Sequence, residues 1–230
     1  MNGIGETHFV EATIVRPVVF GSDIQRYDRV QPEKYIIYPY RGNSLISEQE
    51  LDRDFPYTLK YFQSYRDLLA SRSSITAGGL TWYELVRKRH ESWLTRPKLL
   101  IRDLAMVPSF ALDADGGTLL VGGTAVVPSD PDQLPALIAY LNSHLVEWFL
   151  SPITPAFRAE FRKYEPNHLS RIPIPGAVLD DSKERWQLDS LAREVIEAKK
   201  HGDSQSQKNL EKEIDSIICR LVGIELSEIM

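Results

Sequence analysis

Between Pro131 and Pro152 the apolar residues Leu134, Leu137, Ile138, Leu141, Leu145, Trp148 and Phe149 recur every three or four positions. That period belongs to an α-helix with one apolar face, and a stripe this wide needs a core to cover it. The spacing predicts a core helix that ends before Pro152. Residues 97–128, ahead of it, shift to the texture of strands. Their short apolar runs are separated by Pro108 and by DADGG at 113–117, which predicts strands with a hairpin between SFALD and TLLVG.

The remaining texture extends this plan. EKYIIYPYR reads as a strand stopped by Pro39 and Gly42. FPYTLKYFQSYRDLLASR, with Leu59, Phe62 and Leu69 at helical spacing, reads as a helix starting near Pro56. TWYELVRKRHESWL reads as a short helix in which Thr81 and Glu84 make a capping box. In NHLSRIPIPGA, at 167–177, two prolines remove backbone donors and bias their neighbours to extended geometry, so Ile172 to Pro175 suits an edge strand leaving a domain. Beyond it, Leu188, Leu191, Ala192, Val195 and Ile196 form one stripe, and Leu210, Ile214, Ile217, Ile218 and Leu221 another, joined by GDSQSQ. The expected fold is α+β: a mixed, mostly antiparallel sheet domain with packed helices over 1–175, then a C-terminal helical hairpin over 176–230.

Composition narrows the function. With 230 residues, 43% hydrophobic and 26% charged, the chain has enough apolar material for a sizeable core. It has no run of about 18 apolar residues, and the first residues lack a basic start and an apolar stretch, so a cytoplasmic protein without membrane contact is expected. Cys219, the single cysteine, sits among apolar neighbours and reads as a buried hydrophobe. The net charge of −5 argues against general polyanion binding, but its distribution is uneven. From Arg53 to Arg102 ten basic residues face four acidic ones, a local +6 that permits one basic face.

Motifs for catalysis are missing. AGGL, DGGT and VGGT make neither a dinucleotide fingerprint nor a P-loop, and G-x-S-x-G does not occur. The five histidines lack the mutual spacing of metal ligands, and no lysine follows Asp103 or Asp113 in the pattern of a metal-dependent nuclease. By motif, this chain alone is not an enzyme.

Seven segments taken in order carry a resemblance: IVRPVVFGSDIQRY (14–27), YIIYPY (35–40), FPYTLKYFQSYRDLLASR (55–72), WYEL (82–85), RPKLLIRDLAMVPSFALD (96–113), LPALIAYLNSHLVEWFL (134–150) and HLSRIPIP (168–175). The chain resembles the TaqI-like C-terminal specificity domain of DNA adenine methyltransferases and of fused type II restriction-modification enzymes. That resemblance implies a target recognition domain that binds double-stranded DNA and reads a short site. It also implies an adenine methyltransferase domain, in cis or in trans, which would hold S-adenosylmethionine and carry an Asn-Pro-Pro-Tyr or Asp-Pro-Pro-Tyr motif. Neither feature occurs in this sequence, so no cofactor is expected in this chain and an excised fragment or a stand-alone reader is.

Phosphate contacts need basic and polar groups, and base readout needs planar forks on a loop or helix. Two segments qualify. In RSSITAGGLTWYELVRKRHESW the candidates are Arg72, Arg87, Lys88 and Arg89 around a glycine loop, with Trp82 and Tyr83 packing either on a sugar or base or, as is commoner, in a core. In FRAEFRKYEPNH they are Arg158, Arg162 and Lys163. The alternatives are a nuclease with an unrecognised active site, or a protein-interaction module acting through the terminal helices.

Overall fold

A computed structural model describes residues 7–158 and 160–229, except for the side chain of Arg158. The chain forms two compact units, residues 1–17 with 34–94, and residues 18–33 with 95–230. This division does not follow the expected boundary after Pro175, because the terminal helices share the second unit with residues 95–175.

The first unit opens with the start of β1 (Val15–Phe20) and continues through β2 (Lys34–Ile37) and the small hairpin of β3 (Tyr40–Arg41) and β4 (Ser44–Leu45). The expected strand EKYIIYPYR is thus two short strands, split at Tyr38 and Pro39. Five short helices follow: α1 (Glu48–Asp54), α2 (Pro56–Ser64), α3 (Arg66–Ala70), α4 (Ser73–Thr76) and α5 (Glu91–Leu94). Ser47 and Glu50 cap α1 reciprocally, the Ser47 hydroxyl accepting from Glu50 N at 3.3 Å and the Glu50 carboxylate accepting from Ser47 N at 2.9 Å. The long helix read from Pro56 onward is interrupted at Tyr65. Its start is as expected, and its first amides are capped from a distance by Glu11, whose carboxylate accepts from Tyr57 N, Thr58 N and the Thr58 hydroxyl. Burial alone would raise the Glu11 carboxyl, but the hydrogen bonds from Thr58 and Tyr57 outweigh it and hold the group below its usual range. Ile14, Ile46, Leu51, Leu59, Phe62 and Tyr83 form the core of this unit.

The second unit is built on β5 (Lys98–Arg102), which lies between β7 (Phe110–Asp113) and β9 (Gly123–Val126), antiparallel to both. The end of β1 pairs in parallel with β8 (Leu119–Val121), while β6 (Leu104–Ala105) pairs with β11 (Phe161–Lys163) of the β10 (Ala156–Arg158)–β11 hairpin. The hairpin expected across DADGG does not form. Asp113 gathers that turn instead: its carboxylate pairs with Lys98 at 2.7 Å and accepts from Gly116 N, Thr118 N and the Thr118 hydroxyl. Gly116 takes φ +80 where a Cβ would lie 2.4 Å from the Arg96 carbonyl carbon, so the chain passes from one sheet to another at a point only glycine can occupy. Burial pushes the Lys98 ammonium down against the pull of Asp113.

The predicted core helix is two helices, α6 (Leu134–Leu141) and α7 (His144–Leu150). All eight residues of α6 are buried. The break falls at Asn142, whose amide binds both backbone groups of Phe110, and Ser143 then caps α7 by accepting from Val146 N. Two short helices, α8 (Pro166–Leu169) and α9 (Gly176–Leu179), flank the proline-isoleucine segment, which is extended without ladder pairing and so is not the edge strand expected. The Tyr140 hydroxyl donates to Pro173 O and fixes its course. The terminal hairpin is as expected, with α10 (Lys183–Lys200) and α11 (Ser204–Val222) packed on each other and α10 also on α6. Cys219 is free and buried, as read. Among the described residues no helix is long and apolar enough to cross a membrane.

Leu188, Ala192, Val195, Ile214 and Ile218 are fully buried in the core that contains α6. The four larger of these side chains contribute about 1.5 to 3 kcal/mol each, so together they rival the whole stability of a domain. A chain ending at Pro175 should therefore lose its cooperative thermal transition. Retention of the full-length midpoint by that chain would show the hairpin to be dispensable.

Candidate nucleic-acid interface

Residues 71–90 of the first unit do not form the helix expected around Trp82. Thr81 N does donate to the Glu84 carboxylate at 3.1 Å, which is half of the predicted capping box. The helix fails because its carbonyls are already taken. The Arg72 guanidinium donates to Leu69 O at 2.8 Å, Trp82 O at 2.9 Å and Glu84 O at 3.0 Å, and the Tyr40 hydroxyl accepts from Leu85 N at 3.0 Å. Side chains from elsewhere thus satisfy backbone groups that a helix would otherwise pair.

This arrangement sorts the candidates. Arg72 fastens the loop from within. Tyr83 is buried, stacks on Phe62 with ring centroids 5.5 Å apart and donates to Ile46 O at 2.7 Å. Trp82 is half-buried, meets Phe62 and Tyr83 edge-on and lies under the Arg66 guanidinium. Both aromatics serve the core of the unit. Arg87 and Lys88 are exposed and Arg89 is half-buried. The Lys88 ammonium donates to Asn43 O at 3.1 Å, and the backbone carbonyl of Arg89 accepts from the Tyr38 hydroxyl at 2.7 Å, so the loop is held here by one side chain and one backbone group. Asn43, which carries no signal in the sequence, also accepts from Glu91 N and meets His90 at 2.9 Å. Gly78 and Gly79 take φ +87 and +97, a left-handed backbone that favours glycine.

The second segment lies on the hairpin of the other unit. Arg162 donates to Ser151 O at 2.5 Å and to Thr154 O at 3.2 Å, and Lys163 pairs with Glu165 at 2.6 Å. Arg158 is on β10, and its side chain lies outside the described residues. Phe157 and Phe161 are exposed beside these cations. Among the described residues no group of three or more His, Cys, Asp or Glu could hold a metal ion.

Removing the Arg72 fork leaves half-buried carbonyls without their donor. Arg72→Ala should cost about 2 kcal/mol of stability in urea unfolding and speed amide exchange over residues 82–86. Unchanged exchange there would mean that the loop is held by other contacts.

Residues 16–174 match the family described as TaqI-like C-terminal specificity domain. The chain is 26% identical over 229 residues to the type II restriction enzyme and methyltransferase RM.Eco57I of Escherichia coli, covering 91% of this chain and 23% of that protein. It is 28% identical over 178 residues to the type II methyltransferase M.PaeR7I of Pseudomonas aeruginosa, covering 76% and 28%. It thus spans about a quarter of the length of these curated relatives. In fold it is similar to the type IIL restriction-modification enzyme MmeI, solved in complex with DNA, with a TM-score of 0.66 at 13% identity over 93% of this chain and 29% of that one. With well over half of its length matched, the chain belongs to the TaqI-like C-terminal specificity domain family.

Proposed function

We propose that this chain is the sequence-reading part of a restriction-modification adenine methyltransferase. It binds double-stranded DNA in the cytoplasm and performs no chemistry by itself. The family match over residues 16–174 carries the reading, and the cluster of exposed Arg87 and Lys88 with half-buried Arg89 on a braced loop supports it. A base-reading surface has to be held rigidly while its basic residues reach outward, and that loop has both properties. The catalytic domain, in cis or in trans, supplies S-adenosylmethionine and the pocket for the methylated adenine. The hairpin carrying Arg158, Arg162 and Lys163 is the second DNA-facing segment.

Duplex binding as a function of salt tests this. Neutralising one fewer phosphate should reduce the slope of log affinity against log salt by about 0.9, equally on all duplexes. Alanine at Arg87, Lys88 and Arg89 together should flatten that slope and weaken preferred and random duplexes alike in a folded protein. An unchanged slope would take the cluster out of the interface, and absence of duplex binding by the unaltered chain at low salt would overturn the reading. Calorimetry with S-adenosylmethionine should show no saturable heat, and saturable binding would contradict assignment of the cofactor to another domain.

A further inference from the structure

His144 and Asp215 lie 71 residues apart in sequence and meet closely between α7 and α11. The Asp215 carboxylate accepts from His144 N at 2.9 Å and lies 2.6 Å from His144 Nδ1. Its side chain is 3% exposed, whereas that of His144 is 39% exposed. Since Nδ1 is turned to a buried carboxylate, the ring edge open to the surroundings is the one that carries Nε2. A carboxylate behind a histidine sets ring orientation and tautomer, an arrangement found where the outer nitrogen has a ligand to meet. His144 lines a cleft of about 320 Å³ together with Glu147, Arg162, Tyr164, Ser151, Ile229 and the half-exposed Met106 and Trp148.

The charges around the cleft decide what it can take. His144, when protonated, and Arg162 are opposed by Glu147 and Asp215, so the site has no surplus positive charge with which to hold a phosphate. Its concave shape also cannot meet the edge of a stacked base pair, which needs a protruding side chain. Donors (His144 Nε2, Arg162) and an acceptor (Glu147) beside an aromatic rim suit a neutral, planar heterocycle. We infer that the cleft between α7 and β11 binds a nucleobase that has left the stack, with Trp148 and Met106 against its face and Glu147 and His144 on its edge. Guanine fits best, because N1–H and N2–H both suit one carboxylate and O6 accepts from an N–H donor. The ligand class rests on the DNA-binding reading, and a flipped base is how proteins reach an edge hidden in the duplex.

Protonation of His144 enters the same site. The Asp215 hydrogen bond comes first in holding the imidazolium above its usual range, against burial, with Glu147 on its own helix acting in the same sense and Arg26 opposing. Arg26 is itself paired with Glu211 at 2.9 Å, and burial keeps the Tyr164 hydroxyl neutral by pushing it up to about 12. Base binding that uses Nε2–H should therefore weaken as pH rises through this elevated value.

Titration of the full chain with the four deoxynucleoside 5′-monophosphates, followed by tryptophan fluorescence, tests the inference, with inorganic phosphate as control. The expected result is a guanine preference with a dissociation constant of about 1 mM, a signal lost in Trp148→Phe, and no response to inorganic phosphate. Glu147→Gln should weaken the guanine nucleotide about tenfold and leave the others nearly unchanged. His144→Asn, which keeps a donor toward Asp215 while deleting Nε2, should remove the pH dependence, and Asp215→Asn should move it to lower pH. In the DNA arm, a duplex with a mismatched, easily extruded guanine should bind more tightly than its matched parent, and the difference should vanish in Glu147→Gln. Equal quenching by all four nucleotides, a response to phosphate alone, or variants that change only the thermal midpoint would each overturn the inference. Failure of the chain to bind any duplex, with guanine binding intact, would instead strike the DNA reading and leave the pocket standing.

Discussion

Asn142 interrupts the most apolar stretch of the chain, and its carboxamide takes both the N–H and the carbonyl of Phe110, at 2.9 and 3.0 Å. Without that carboxamide the buried Phe110 N–H would lose its partner, at roughly 1 to 3 kcal/mol, whereas the carbonyl would keep the Tyr27 N–H at 2.9 Å. The break at Asn142 thus joins the buried helix α6 to the edge of the sheet. It also frees Ser143 to cap a new helix, and that helix carries His144, Glu147 and Trp148. The cleft beside β11 exists because one polar residue stands where a continuous stripe would have placed another turn.

A polar side chain shapes the first unit in the same way. Arg72 lies in the most basic part of the chain, yet its fork is occupied by two carbonyls of the following loop and one at the end of α3. An arginine used this way replaces a turn of helix and gives the loop a shape that glycine and serine alone could not hold. Arg87 stays exposed, while the Lys88 ammonium is engaged by Asn43 O and the backbone carbonyl of Arg89 by the Tyr38 hydroxyl. Local charge excess therefore overstates the number of residues available to DNA, and braced backbone beneath exposed cations is the better sign.

Much of the architecture was legible in order and type. The helical hairpin, the buried Cys219, the helix start at Pro56 and the strands of residues 97–126 follow from periodicity and turn chemistry, and the seven-segment resemblance named the family that residues 16–174 match. Where the local signal misled, a distant side chain had captured it. Glu84 still bonds Thr81 N, but Arg72 and Tyr40 hold the backbone that should have gone on to coil. DADGG still turns, but Asp113 and Lys98 direct it between sheets. IPIP leaves the helix as its prolines require, yet nothing pairs with it along a ladder.

The sequence by itself determined the elements whose stability is local: apolar stripes that must be buried, prolines that forbid helix, glycines that permit φ above zero. It also determined the family, since the order of segments survives where single residues vary. Only the tertiary structure decided which cations are free, which aromatics are core, and that His144 and Asp215 form one site. Those outcomes depend on contacts between residues as many as 71 positions apart, and spacing along the chain has no means of encoding a distance that exists only after the core has formed.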